Sequence, residues 1–224
     1  MTRAVPAPSL NAMRTTGKAL LVILCLGVAA YAAVGYGILP LGSLVHPDMK
    51  ASFLAHPFGI YSHAFAATVA LLLGPFQFSA RLRRQHRRLH RWMGRAYLGV
   101  GVLAGGLSGL YMSRFAFGGV AARLGFAALA VCWLYLGTRA FLAIRRGAVD
   151  EHGRWMVRNL ALTLAAVTLR LYLPASVASG IDFATAYPVV AWLCWVPNLF
   201  VAEWLCRGAR DGSLRRVAGR RDYG

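Results

Sequence analysis

Charge is scarce in this sequence, and acidic charge is scarcer still. Of 224 residues, 14% are charged and only seven are Asp or Glu, whereas a soluble domain carries roughly a quarter charged residues. Carboxylates this few, mostly terminal or in loops, leave little for paired-carboxylate catalysis. No GxSxG, HExxH or P-loop occurs, and no GxGxxG precedes a helix. The common hydrolytic and nucleotide-binding classes are therefore without support. Cysteine is sparse too. Cys25, Cys132, Cys194 and Cys206 form no CxxC pair, so neither a zinc site nor a redox dithiol is signalled. All four lie in or at the ends of apolar runs and read as small buried hydrophobes.

What is present is hydrophobicity, at 58% of the chain. It is arranged in runs of about twenty residues, the length that crosses a hydrocarbon core of ~30 Å as a helix. The fold class is all-α: a polytopic transmembrane helix bundle. A net charge of +18 would ordinarily raise nucleic acid as a partner, but its distribution argues against that. Of the 25 Lys and Arg, 21 fall in four segments: the N-terminus, Arg81–Arg95, Arg139–Arg158 and the tail from Arg207. Alternation of basic segments with apolar runs follows from the positive-inside rule without any nucleic-acid partner. Contact of the basic loops with anionic lipid headgroups is the better expectation, at about 1 kcal/mol per basic residue near the surface.

Six spans fit: Ala19 to Leu39, Pro57 to Phe78, Ala96 to Met112, Leu124 to Ile144, Met156 to Pro174 and Tyr187 to Leu205. Placing both termini inside puts every basic segment in the cytoplasm and leaves only Lys50, Arg114, Arg123 and Arg170 toward the other side. The expected location is a membrane bordering the cytoplasm. Ala30-Tyr31-Ala32 resembles a signal-peptide cleavage site, yet the apolar run continues past it to Leu41. That exceeds the usual 7–15-residue apolar core of a signal peptide, so an uncleaved first span is expected. The domain plan is a cytoplasmic segment 1–18, a membrane domain 19–206 and a basic, disordered tail 207–224.

Boundaries have local causes. Pro57 suits a first helical turn, where its missing N–H costs nothing. Pro40 and Pro174 should close their spans. Asp150 is placed to cap the fifth helix, with Glu151 favourable at its positive end. Trp92, Trp155, Trp192 and Trp204 fall near expected interfaces. Residues 42–56 make the longest loop and have room for a short surface helix.

Chemistry is sparse and clusters around histidine. His86 and His90 are four apart, and share a helix face if span three extends back through them. His152 begins span five. Two imidazoles from different helices at similar depth are what bis-histidine ligation of a b-type haem requires. Arg91, Arg95 and Arg158 then stand as partners for haem propionates. The alternative is a set of interfacial histidines in a solvated basic surface. Gly101, Gly105 and Gly109 recur every four residues, a spacing that either packs helices closely or forms a backbone wall for a flat cofactor. His63 lies about six residues, ~9 Å, inside span two and is a candidate outer-side ligand or proton group. Arg170, Asn198 and Glu203 are the other intramembrane polar groups. Arg170 could snorkel to the interface, Asn198 follows Pro197 where a bend is expected, and Glu203 would pair with Arg158, Arg154 or Arg207.

Four blocks, GPFQF at Gly74–Phe78, HRWMGRAY at His90–Tyr97, HGRWMVRN at His152–Asn159 and WVPNLFVAEW at Trp195–Trp204, together carry a resemblance to a known family. The chain resembles the bacterial predicted membrane proteins catalogued as domain of unknown function 2306. The resemblance covers about His56 to Trp204 and implies a multi-spanning inner-membrane protein. It draws attention to His63, His90, Arg158, Arg170, Asn198 and Glu203 but transfers no activity. Two functions are therefore carried forward. One is a small b-type-haem redox protein exchanging electrons with quinone or a partner. The other is a cofactor-free carrier or accessory subunit whose intramembrane polar groups line a cavity for protons or a small anion.

Overall fold

In a computed structural model the chain is described from residue 10 to 221, with side chains for 15–208. Six helical segments are long and apolar enough to cross a membrane: Thr15–Gly37, Pro57–Phe78, Arg87–Ser113, Gly119–Arg145, Val149–Ala178 and Phe183–Gly208. We call them spans one to six. No strand occurs among the described residues. The all-α, six-span architecture expected from apolar run length is the one found.

The helices are longer at their ends than hydropathy alone marks. The first begins at Leu10, so part of the polar segment 1–18 is helical and continuous with span one; residues 1–9 lie outside the described residues. The last helix continues through Arg221, where composition pointed to a disordered tail. That stretch contains glycines but no proline, so nothing in it removes a helical N–H donor. Span three starts at Arg87 rather than Ala96, which places His90, Arg91 and Arg95 on the helix.

Loops follow their turn chemistry. A short helix, Pro47–Ala55, occupies the long first loop, with Pro47 in its first turn. Pro57 opens span two as expected. Asp182 caps span six by accepting from the Thr185 N–H at 3.0 Å, and hydrogen bonds from the Thr185 side chain and backbone hold its carboxyl below the ordinary carboxylate range. Asp150 does not cap span five. Ala148 takes that place, and Asp150 and Glu151 sit in the first turn, where they still favour the helix dipole. Glu151 accepts from Arg146 at 2.8 Å and from the Trp155 indole at 3.0 Å.

Three spans are interrupted, and the interruptions shape the interior. Span three runs through π-helical turns at Tyr97–Ala104, a geometry rare in helices and frequent near functional sites. Span five breaks at Leu164. Span six breaks at Cys194–Trp195, before Pro197. Pro174 closes nothing: it lies inside a helix that continues to Ala178.

The core forms where spans two to six meet, around Ala70, Tyr97, Trp133, Leu162 and Cys194. At its centre is a closed polar set. The Tyr97 hydroxyl donates to Asn159 Oδ1 at 2.7 Å and lies 2.8 Å from Thr163 Oγ1. The Trp133 indole donates to Thr163 at 3.0 Å, and the Asn159 amide donates to the Trp133 carbonyl at 2.9 Å. Spans three, four and five are thus joined by groups that satisfy one another away from water.

Candidate functional site

Two cavities lie between the spans, one toward each end of the bundle. The end carrying the 80–86 and 146–148 connections and Arg207 is called the basic end, and the opposite one the far end.

The basic-end cavity has a volume of about 1320 Å³ and is walled by spans three to six together with Gln77, Phe78 and Arg83. Its apolar part comes from residues such as Leu98, Val102, Leu134, Phe141 and Met156. Five arginines line it as well: Arg83, Arg91, Arg95, Arg145 and Arg154. An apolar chamber edged by guanidinium groups suits an amphiphilic ligand with anionic substituents.

His90 and His152 both face this cavity. His152 lies in the first turns of span five, and its Nδ1 is 2.9 Å from the Ala140 carbonyl of span four. A carbonyl only accepts, so Nδ1 carries the proton and the lone pair of neutral His152 is at Nε2. That second-sphere bond to a carbonyl is the usual device for orienting a metal-binding imidazole. His90 sits in the first turn of span three, and its Nδ1 is buried without a partner. Gln77 Nε2, on the same cavity, is also buried and unpartnered. His86 does not share the His90 helix face; it caps the helix that His90 lies on. Among the described residues no group of three or more His, Cys, Asp or Glu is placed to hold a bare metal ion.

Arg95 is on the cavity, but Arg158 is not. Arg158 is held by Glu203 in a two-point contact, Nε to Oε1 at 2.6 Å and Nη2 to Oε2 at 2.9 Å, which ties span five to span six. The pairing leaves that guanidinium committed.

The glycine face of span three is turned toward span two. A methyl group added at Gly101 would fall 2.9 Å from the Ala70 methyl, and one at Gly105 would fall 3.1 Å from the Trp133 ring and 3.3 Å from Ala66. At Gly109 it would fall 2.9 Å from the His63 imidazole. Gly101 and Gly105 thus serve close helix packing, and Gly109 makes room for His63.

His63 donates from Nδ1 to the Gly105 carbonyl at 2.9 Å and faces the second cavity, at the far end, whose volume is about 330 Å³. Arg170 shares that cavity. Asn198 and Glu203 line neither of the two. Asn198 donates to Cys194 O at 3.0 Å, Thr168 Oγ1 at 3.1 Å and Ala161 O at 3.3 Å, bracing the facing breaks of spans five and six.

Sequence reasoning missed Tyr97, Asn159, Thr163 and Gln77 as a group. Tyr97, Asn159 and Gln77 stand inside the quoted blocks, but nothing in the spacing brings them to the core or to a cavity.

A family model described as a predicted membrane protein (DUF2306) matches residues 60–206, about two thirds of the chain. The matched region takes in both histidines of the basic-end cavity and leaves out span one and the Pro47–Ala55 helix. No curated protein and no solved structure matches.

Proposed function

This chain belongs to the DUF2306 family of predicted membrane proteins, and we propose that it is a small redox protein holding one b-type haem in the basic-end cavity. The observation that carries the reading is the convergence of His90 and His152, from different spans, on a single large apolar chamber edged by arginines. A bound haem would supply one-electron chemistry at a potential set by its axial ligands and their hydrogen bonds.

The residues divide the remaining work. His152 presents Nε2, with its ring oriented by Ala140 O. His90 presents the second imidazole. Arg95, with Arg91 and Arg154 beside it on the cavity, receives the propionates as charge-assisted partners. Gln77 Nε2, buried and unpartnered, adds a donor. Leu98, Val102, Phe141 and Met156 exclude water from the ring faces. Quinone or a partner protein is the electron exchanger.

In this reading the protein works in a bacterial cytoplasmic membrane, and the concentration of Lys and Arg at one end supports a cytoplasmic basic end with both termini inside. Anionic lipid headgroups meet the exposed arginines there. A cofactor-free carrier with one polar cavity ranks second, because His63 and Arg170 share a cavity while Asn198 and Glu203 lie elsewhere.

Haem titration into the detergent-purified protein tests the reading. It should saturate at one haem per chain with a sharp Soret band, and His152→Ala should abolish the site. Binding without saturation, or unchanged in His152→Ala, would refute it.

A further inference from the structure

The far-end cavity contains a positive charge that no acidic side chain among the described residues balances. Arg170 stands on span five, and its Nη1 donates back to Ala166 O, one turn earlier, at 3.0 Å. Span five runs from the basic end to the far end, so the side chain folds toward the bundle centre. An arginine reaching for the interface would extend the other way. The expectation that Arg170 snorkels is therefore corrected, and the bias of helical side chains toward the N-terminal turn accounts for it.

The guanidinium lies over the Tyr31 ring, 5.0 Å from its centroid. Its Nε is buried without a hydrogen-bond partner, and none of the ion pairs among the described residues includes Arg170. Arginine does not shed its proton, so burial is not relieved by neutralisation as it can be for lysine. An intramembrane arginine with a buried donor to spare is a candidate functional site.

The surroundings narrow the ligand. A volume of about 330 Å³ is at the small end of ligand pockets, which run ~300–1,000 Å³. Tyr36 and Tyr187 lie within electrostatic reach of Arg170 and bring hydroxyl groups. Phe117, Phe126 and Trp133 form aromatic walls against which a flat or short apolar body packs well. His63 must donate from Nδ1 to Gly105 O, so its Nε2 is an acceptor; it serves a hydroxyl or a water and not the anion itself. Toward the far-end surface the Pro47–Ala55 helix roofs the cavity with Met49 and Ser52. Ser52 is held by its bond to Phe115 O at 2.9 Å, and at the start of the helix His46 stacks on Phe183 at 3.9 Å.

We propose that this cavity binds a small organic acid as its anion, with the carboxylate received by Arg170 and an apolar body of about one ring packed against the aromatic walls. The proposal stands independently of the haem reading, because it concerns a different cavity and a different ligand. The carboxylate has two natural sources, a water-borne ring acid or a short acyl chain from the lipid phase.

Isothermal titration of the full-length protein in a maltoside detergent decides it, with benzoate, octanoate and benzamide as probes. Saturable binding of either acid is expected, with neutral benzamide weaker by about tenfold or more. Benzoate binding identifies a ring acid, and octanoate binding alone an acyl acid. Arg170→Gln should weaken the acid by about tenfold or more, a loss of at least ~1.4 kcal/mol, and Arg170→Lys by less. Ala67→Leu, which narrows the cavity and leaves the charge in place, should also weaken it. Gly27→Ala, on the exposed side of span one, should change nothing. Benzamide binding as well as benzoate, undiminished binding in both Arg170→Gln and Ala67→Leu, or no saturable binding of either acid would overturn the proposal.

Discussion

Asn159 shows how much one residue can hold in this bundle. It is fully buried, accepts from Tyr97 and donates to the Trp133 carbonyl, so spans three, four and five all depend on its amide. Hydrogen bonds between membrane helices are worth about 0.6 kcal/mol on average and up to ~1.7. Tyr97→Phe should therefore cost about 1 kcal/mol. Asn159→Ala should cost about 2 kcal/mol, because it removes both the bond from the Tyr97 hydroxyl and the bond to the Trp133 carbonyl. Unfolding in mixed detergent micelles reads both, and equal stability of the three proteins would contradict the network's role. The glycines offer a second contrast. Gly101→Val should destabilise by ~1–3 kcal/mol through overpacking on Ala70. Gly27→Ala meets nothing within 4 Å and should be neutral or gain up to ~1 kcal/mol of helix propensity. Spacing offered close packing as one of two roles for Gly101, beside a cofactor wall. It could not reveal Asn159, since a polar residue between charged neighbours and an apolar run reads equally well as exposed.

Among the elements, spans five and six carry the most instructive departures from ideal helix. Their breaks, at Leu164 and at Cys194–Trp195, face one another, and Asn198 and Thr168 both satisfy the Cys194 carbonyl. Pro197 announced the second break, because it lacks the donor a continuous helix needs. Nothing announced the first: Leu164 lies in an unbroken apolar run, and the break follows from packing against span six. The same limit applies to the π-helical turns of span three, which hydropathy does not register. Pro174 misled in the other direction, because a membrane helix tolerates proline when neighbouring groups meet the freed carbonyl. If Asn198 holds the breaks in register, Asn198→Ala should loosen that junction. Cys194, now 1% exposed, should then react with a maleimide several-fold faster. An unchanged Cys194 rate would leave Asn198 without that role.

At the scale of the whole molecule, composition alone made the six-span bundle legible, because apolar runs of membrane length have few other uses. Which polar groups share a cavity was not legible, since residues distant in sequence meet only through helix packing: His63 with Arg170, and His90 with His152. The four residues assigned to one carrier cavity divide among three places. Concentration of the arginines at one end predicts the orientation. A cysteine placed at Lys50 should be labelled by an impermeant reagent in whole cells, and one placed at Arg84 only after lysis. Labelling of the Arg84 position alone would invert the topology. Glu203→Gln should weaken the join of span five to span six without touching the basic-end cavity, and so should lower stability while leaving the haem titration as in the wild type. The proposed haem rests on His90 and His152 together. The most direct measurement is the reduced-minus-oxidised visible spectrum of protein purified from haem-supplied cells. Soret and α-band changes are expected in the wild type and in His63→Ala, lost in His90→Ala and in His152→Ala. A featureless wild-type spectrum, or bands that persist in both cavity variants, would contradict it.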